Sequence, residues 1–213
     1  MRCITTITTV TTAASSYDLT TLEAVKAELG LTDAKNDAVL KRYIAGASAA
    51  AAQYCGRVFP LEAVEDQIWP ARAGSPLSSA FEKLQLSRWP VTEILSLTDD
   101  GVAKDEDADF VVDRASGLLT RLDGSGRQCR WGSAPKVVSY KAGYGTIPAD
   151  LEDAVIRMVK GRWLARGRDP NLKSQDIPGV LSQTWWIATG SESGNMSPDI
   201  ADLLDNYRVP IVA

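Results

Sequence analysis

The hydrophobic residues between positions 20 and 59 recur at the spacing of amphipathic helices. Thr20 and Glu23 have the spacing of a capping box, and Gly30 follows the last apolar position, where a left-handed residue commonly ends a helix. Because residues 45–52 are all alanine, serine or glycine, we expect another helix to approach closely there. The pattern predicts helices at about 21–29 and 37–55.

From about 62 to 144 the hydrophobic spacing becomes that of β-strands. Turn signals such as Asp100-Gly101 separate the apolar stretches. The links are short, which favours antiparallel pairs over parallel strands joined by helices. The candidate strands are 63–69, 82–87, 91–98, 109–113, 117–122 and 135–141.

Helical spacing returns at Pro148, which we expect at the first position of a helix over about 148–167. A hairpin is expected around 177–180, and a last short helix over about 198–206. Pro210 then keeps an apolar tail extended. The predicted fold class is therefore α+β, a small helical bundle with an antiparallel β insertion at about 62–144.

The first 19 residues form a threonine-rich arm in which Ile4, Ile7 and Val10 are three positions apart. This spacing suits neither a half-buried strand nor a helix, and β-branched residues disfavour helix. We expect the arm alone to be loosely ordered. The expected domains are the arm (1–19), a helical core (20–61 with 145–206), the β insertion (62–144) and an extended tail (207–213).

Composition excludes several classes of function. The chain has 213 residues, of which 45% are hydrophobic, so it is long enough to bury a sizeable core. Its net charge of −4 argues against a general nucleic-acid binder, and no apolar run is long enough to span a bilayer. It contains no histidine, which excludes a Ser-His-Asp or Cys-His site within the chain. The three cysteines form no C-x-x-C pair, which is typical of reduced thiols.

Residues 99–109 carry six carboxylates, and oxygen ligands of this kind bind hard cations. The order of an EF-hand loop is absent, so we interpret the stretch as a solvated acidic loop. A metal-dependent hydrolase that uses these carboxylates is the alternative. No glycine-rich phosphate loop is found, and no cofactor site is predicted.

Two other features are candidates for interfaces. Basic residues in the second half of the 148–167 helix complement the helix dipole on an exposed face. The alternatives are contact with an acidic neighbour, such as loop 99–109 of the next subunit, and contact with nucleic acid. Adjacent tryptophans on a strand face opposite ways, so one suits the core and the other an interface. The candidate subunit-interface residues are Trp185, Trp186, Arg162 and Arg166. The apolar tail is expected to dock either on its own subunit or on a partner.

An ordered series of short motifs runs along the chain. Its members are Leu22-Glu23-Ala24-Val25-Lys26 with Leu29-Gly30, Asp37-Ala38-Val39-Leu40, Ser48-Ala49-Ala50-Ala51-Ala52, Tyr54-Cys55-Gly56-Arg57, Trp89-Pro90-Val91, Tyr140-Lys141-Ala142-Gly143-Tyr144-Gly145, Ile147-Pro148-Ala149-Asp150-Leu151 and Leu204-Asp205-Asn206-Tyr207-Arg208. In this order, over roughly residues 19–210, the series resembles the head–tail connector (adaptor) proteins of tailed bacteriophages and of gene transfer agents.

The resemblance implies a structural protein without enzymatic activity or cofactor. Its subunits would form a ring, commonly a dodecamer, under the portal protein of a virion. The ring would extend the DNA channel, pass DNA without sequence-specific binding, and carry the next neck or tail component, a stopper or tail terminator. The protein would be made in the bacterial host cytoplasm and would not contact a membrane. The alternative within the same class is another neck protein, a stopper or a tail completion protein.

The resemblance also implies that the C-terminal segment docks on the portal. The candidate portal-contact residues are Ile200, Leu203, Leu204, Tyr207, Arg208, Val209, Pro210, Ile211 and Val212.

Overall fold

The structure is a computed structural model and describes residues 5–69, 83–167, 174–177, 181–184 and 196–209. The chain divides into two compact units. The first, here called the sheet unit, comprises Met1–Ser15 and Pro60–Thr146. The second, the helical unit, comprises Ser16–Phe59 and Ile147–Ala213. Each unit is therefore assembled from two separate stretches of sequence.

The sheet unit contains two antiparallel sheets. Its strands are β1 (Thr5–Thr12), β2 (Glu62–Trp69), β3 (Lys83–Gln85), β4 (Val91–Asp99), β5 (Val102–Lys104), β6 (Phe110–Asp113), β7 (Leu118–Leu122), β8 (Gln128–Cys129) and β9 (Lys136–Ala142). The larger sheet has the order β1-β2-β9-β4-β5, and the smaller has the order β3-β7-β6 with β8 paired to β7. All of these pairs are antiparallel, as the short links predicted.

The core of the sheet unit follows from strict alternation along β2 and β9. Every second residue of these strands is buried. All of these buried residues except Glu62, Asp66 and Lys136 join a hydrophobic cluster. Its members are Val64, Ile68, Leu84, Leu86, Val91, Leu97, Phe110, Leu119, Trp131, Val138, Tyr140 and Ala142. The turn between β4 and β5 is Asp100-Gly101, with φ of 55° and 76° at the two residues. Positive φ at both positions is what a two-residue hairpin of type I′ requires.

The helical unit contains α1 (Leu22–Leu29), α2 (Asp37–Cys55), α3 (Ala149–Leu164) and α4 (Pro198–Asp205), with a 3₁₀ turn at Ala165–Gly167. It also contains the hairpin of β10 (Ser174–Ile177) and β11 (Leu181–Thr184). The helices bury Val25, Leu40, Ile44, Ala47, Ser48, Ala51, Cys55, Leu151, Ala154, Val155, Val159, Ile200, Ala201 and Leu204. The α+β fold class is confirmed. No helix in the described part of the chain is long and apolar enough to cross a membrane.

The judgement that the arm does not suit a strand is wrong for Thr5–Thr12, which form an eight-residue edge strand. This strand pairs with β2 and places Thr8 opposite Asp66 and Val10 opposite Val64. Nearly all of its residues are exposed, so its own hydrophobic spacing carries no strand signal. Its order comes from the hydrogen-bond ladder with β2, which lies about 55 residues away in sequence.

Two predicted helix starts are also corrected. Thr21 rather than Thr20 caps α1, because its Oγ1 accepts a hydrogen bond from Ala24 N at 3.1 Å. Thr20 instead donates its hydroxyl to Glu152 Oε1 at 3.0 Å, a tertiary contact that a local motif does not reveal. Pro148 is the N-cap of α3 and not its first helical residue.

Candidate functional site

The predicted portal-contact residues divide into a buried and an exposed set. Ile200 and Leu204 are buried in the core of the helical unit, whereas Leu203 is partly exposed. The spacing of α4 explains this division, since Ile200 and Leu204 are one helical turn apart and face inward together. Pro210, Ile211 and Val212 lie outside the described residues.

The described part of the tail, Tyr207 to Val209, docks on its own helical unit. The Tyr207 hydroxyl donates to Asp150 Oδ1 at 2.6 Å, and its ring meets Phe59 edge-on with centroids 5.8 Å apart. Val209 N donates to the carbonyl of Cys55 at 2.9 Å. The described part of the tail is therefore fixed to its own helical unit up to Val209.

Polar contacts also hold the α4 end against α2. The Tyr54 hydroxyl donates to Asp205 Oδ1 at 2.8 Å, and the Arg208 guanidinium lies 5.2 Å from the centre of the Tyr54 ring. Cys55 is buried beneath them, and burial raises the pKa of its thiol to about 11. At neutral pH this cysteine is therefore a packing residue rather than a nucleophile.

A group of three exposed arginines lies on α2, α3 and the following 3₁₀ turn; we call Arg42, Arg162 and Arg166 the arginine cluster. Arg162 and Arg42 both lie over the ring of Tyr43, at 5.2 Å and 5.8 Å from its centre. These distances are those of cation–π contacts, which hold a guanidinium in place without neutralising it.

The third arginine of the cluster is held by a different pair of contacts. Arg166 lies 3.8 Å from the ring centre of Trp163 and donates to Asn36 Oδ1 at 3.3 Å. Arg162 and Arg166 were predicted as interface residues. The structure places Arg162 with Arg42 at the Tyr43 ring, and Arg166 at Trp163 and Asn36. Trp185 and Trp186 lie outside the described residues.

Gly46 on α2 makes room for this arrangement. A Cβ atom built at Gly46 would lie 2.9 Å from Nη1 of Arg162. The absence of a side chain there lets the guanidinium lie close against the helix and over Tyr43. The glycine in the alanine-rich stretch thus has a local role that its sequence context does not reveal.

The acidic loop contains two kinds of carboxylate. Three are salt-bridged: Asp99 to Lys136 at 3.1 Å, Glu106 to Arg114 at 2.7 Å and Asp109 to Lys104 at 3.6 Å. The other three, Asp100, Asp105 and Asp107, are exposed and have no cationic partner among the described residues. Across the described part of the chain, no group of three or more Asp, Glu, Cys or His side chains could hold a metal ion. The loop is therefore an exposed anionic surface.

A buried polar network in the sheet unit has no counterpart in the sequence prediction. Asp66 is fully buried and accepts four hydrogen bonds: from Thr8 Oγ1 and Ser87 Oγ to Oδ1, each at 2.7 Å, and from Ser87 N and Tyr140 OH to Oδ2, at 2.8 Å and 2.7 Å. Burial, and then the charge of Asp66, raises the pKa of Tyr140 well above its ordinary value, so the hydroxyl stays a donor. The network joins β1, β2, β9 and the residues after β3. One feature of the sequence does point to this network. In Val64-Glu65-Asp66-Gln67-Ile68 the alternation places Asp66 on the same inward face as Val64 and Ile68.

A family model described as head completion protein matches residues 18–209 of the chain. The match confirms the resemblance to proteins of the head–tail connection. No curated protein matches the chain.

Three solved structures of gene transfer agent (GTA) particles contain chains of similar fold, and in each case the alignment covers 97% of both chains. One is the virion of a native GTA particle, 16% identical with a TM-score of 0.56. Another is the neck of an empty particle computed with C6 symmetry, 17% identical with a TM-score of 0.54. The third is the neck of a native particle computed with C12 symmetry, 16% identical with a TM-score of 0.54. Identities this low show a shared fold.

Proposed function

The chain belongs to the head completion protein family, and we propose that it is the adaptor subunit in the neck of a phage or phage-like particle. Its copies form a ring under the portal protein, extend the DNA channel and carry the stopper or tail terminator. The observation that carries this proposal is the family match over residues 18–209, together with the 97% coverage of chains in GTA particles. The protein is accordingly a component of the virion, made in the host cytoplasm.

The symmetry of the similar structures supports a cyclic assembly. Two of them are necks computed with C6 and C12 symmetry, and twelve copies satisfy both. A dodecameric ring is therefore the assembly we propose for this chain.

The side-chain inventory supports a structural rather than an enzymatic role. The chain has no histidine, and half of the carboxylates in the acidic loop are already neutralised by lysine or arginine. The net charge of −4 also suits a conduit, because a basic channel would retain DNA through release of counterions. DNA then passes without sequence-specific contact.

The burial of one face of α4 reduces the number of residues available for the proposed portal contact. Ile200 and Leu204 support the segment from inside, so the surface offered to the portal consists of Leu203, Tyr207, Arg208 and Val209 with the following Pro210, Ile211 and Val212. The docking of Tyr207 and Val209 on their own unit gives this segment a fixed base.

Deletion of residues 210–213 tests the portal contact without removing the contacts of Tyr207 and Val209. We expect the truncated protein to keep its melting temperature and to fail in joining portal-bearing heads to tails. Leu95→Ser is the control, because Leu95 is an exposed apolar residue of the sheet unit. Normal tail joining by the truncated protein would show that the tail does not make this contact.

Imaging of particle necks tests the wider proposal. A ring of this protein between portal and stopper is the expected result. A position beyond the stopper, or at the tail end, would instead assign the chain to another role in the neck.

A further inference from the structure

Several cations at the surface of the helical unit have a carboxylate partner within the unit. On α3, Arg157 lies 2.8 Å from Asp153, and Lys160 lies 2.6 Å from Glu28. The arginine cluster differs, because none of its three guanidinium groups has an anionic partner among the residues that the structure describes. The helical unit thus exposes three guanidinium groups that have no anionic partner among the described residues.

The cluster is preorganised for carboxylates. Cation–π contacts with Tyr43 and Trp163 hold the guanidinium groups of Arg162 and Arg166 and leave N–H donors for other partners. A guanidinium donates two parallel hydrogen bonds to a carboxylate, and a side chain that is already ordered loses less entropy when it binds.

The acidic loop presents a complementary set. Asp100, Asp105 and Asp107 are exposed and have no cationic partner in the described ranges. The backbone around them is held by hydrogen bonds, from Asp107 N to the Phe110 carbonyl at 2.8 Å and from Asp109 N to the Asp105 carbonyl at 2.9 Å. Asp105 and Asp107 thus lie in an ordered turn after β5, and Asp100 lies in the separate turn between β4 and β5.

We propose that the arginine cluster of one copy binds Asp100, Asp105 and Asp107 of a second copy, and that this pairing joins neighbouring subunits of the ring. This inference rests on the proposed function. The two surfaces are different, so the contact is head-to-tail, which is the kind of contact that generates a closed ring. Charge complementarity favours a second copy as the partner, because the arginine cluster and the three aspartates carry opposite charges that no ion pair neutralises among the described residues. Duplex DNA is the competing anion.

Two charge variants of the full chain test the pairing. In the first, Arg162→Glu and Arg166→Glu reverse the cluster. In the second, Asp105→Arg is combined with Asp107→Asn, since Asp107 has a φ of 70° and asparagine tolerates positive φ. Arg127→Glu, at an exposed position in the turn before β8, is the control for an unspecific change of charge.

Sedimentation velocity at low and high salt gives the readout. We expect the wild type and Arg127→Glu to self-associate at low salt, and each charge variant to associate at least about tenfold more weakly. An equimolar mixture of the two variants should associate more tightly than either alone, because the intact arginine cluster of the loop variant then meets the intact acidic loop of the cluster variant. High salt should weaken the wild-type contact, since the Debye length falls to about 3 Å at 1 M.

Unchanged association of the charge variants, a mixture no tighter than its parts, or a wild type that stays monomeric at low salt would overturn the pairing. Wild-type binding to a short DNA duplex that is lost in the cluster variant, with self-association unaffected, would assign the cluster to DNA instead. A neck ring that forms normally from the cluster variant would remove this contact and leave the proposed function intact. Absence of the protein from the neck would remove the proposed function itself.

Discussion

The interiors of the two units differ in the kind of side chain that they bury. The helical unit buries small and aliphatic side chains, such as Ala47, Ala51 and Val155. The sheet unit buries three charged side chains among its apolar residues: Glu62 near Arg88, Lys136 beside Asp99, and Asp66 in its network. A change of volume should therefore harm the helical unit most, and the loss of a hydrogen-bond partner should harm the sheet unit most.

The largest effect is expected from Asp66→Ala. The change leaves Tyr140 OH, Ser87 N and Ser87 Oγ without their acceptor. Each buried donor that loses its partner costs about 1–3 kcal/mol, so we expect the free energy of unfolding of the sheet unit to fall by about 3 kcal/mol or more. Urea denaturation followed by tryptophan fluorescence measures it.

Glu65→Ala is the matched control for Asp66→Ala. It removes a carboxylate from the neighbouring residue of β2, which is only half-buried. If Asp66→Ala costs no more than this control, the network is not the main polar support of the sheet unit.

The next largest effect is expected from Ala51→Leu in the helical unit. Ala51 is fully buried on α2, so three extra carbon atoms must displace their neighbours. Overpacking of this kind costs about 1–3 kcal/mol. Ala49→Leu on the exposed side of the same helix should be close to neutral, and thermal melting of the two variants gives the difference. Equal melting temperatures would show that the small-residue face is not tightly packed.

The smallest effect is expected from Gly46→Ala. Alanine in a helix interior is favoured over glycine by about 1 kcal/mol, but its Cβ would displace the guanidinium of Arg162 from the Tyr43 ring. That cation–π contact is worth about 0.5–1 kcal/mol, so the net change should be close to zero.

Gly161→Ala on α3 is the control for Gly46→Ala, since nothing lies within 4 Å of a Cβ placed there. It should gain the helix propensity in full, about 1 kcal/mol at most, by thermal melting. An equal gain in both variants would mean that Arg162 does not depend on the space at Gly46.

Features encoded by neighbouring residues could be predicted from the sequence. The left-handed ends of α1 and α2 lie at Gly30 and Gly56, where the pattern places them, because a glycine after the last apolar position is a local signal. The six predicted strands between 62 and 144 all exist, with ends shifted by one or two residues. The two-residue β8 and three-residue β5 are too short to show a period.

Features that depend on distant partners could not be predicted. The order of β1 comes from β2, and the partners of Asp66 lie 21, 58 and 74 residues away from it. The arginines of α3 were visible as a basic patch, but whether a charge is neutralised within its own unit depends on the tertiary contacts around it. Arg157 is paired with Asp153 in its own unit, whereas the described contact of Arg162 is with the Tyr43 ring.

The split of the helical unit along the sequence has a consequence for the order of events during synthesis. Helix α2 ends at Cys55, but its partner α3 starts at Ala149. At a ribosomal rate of about 5–20 residues per second, the buried face of α2 waits roughly 5 to 20 s for its cover. A face rich in leucine would be a target for aggregation over that interval. Because residues 45–52 are alanine, serine and glycine, the nascent helix exposes little apolar side-chain area during this interval, while the rest of the sheet unit is synthesised.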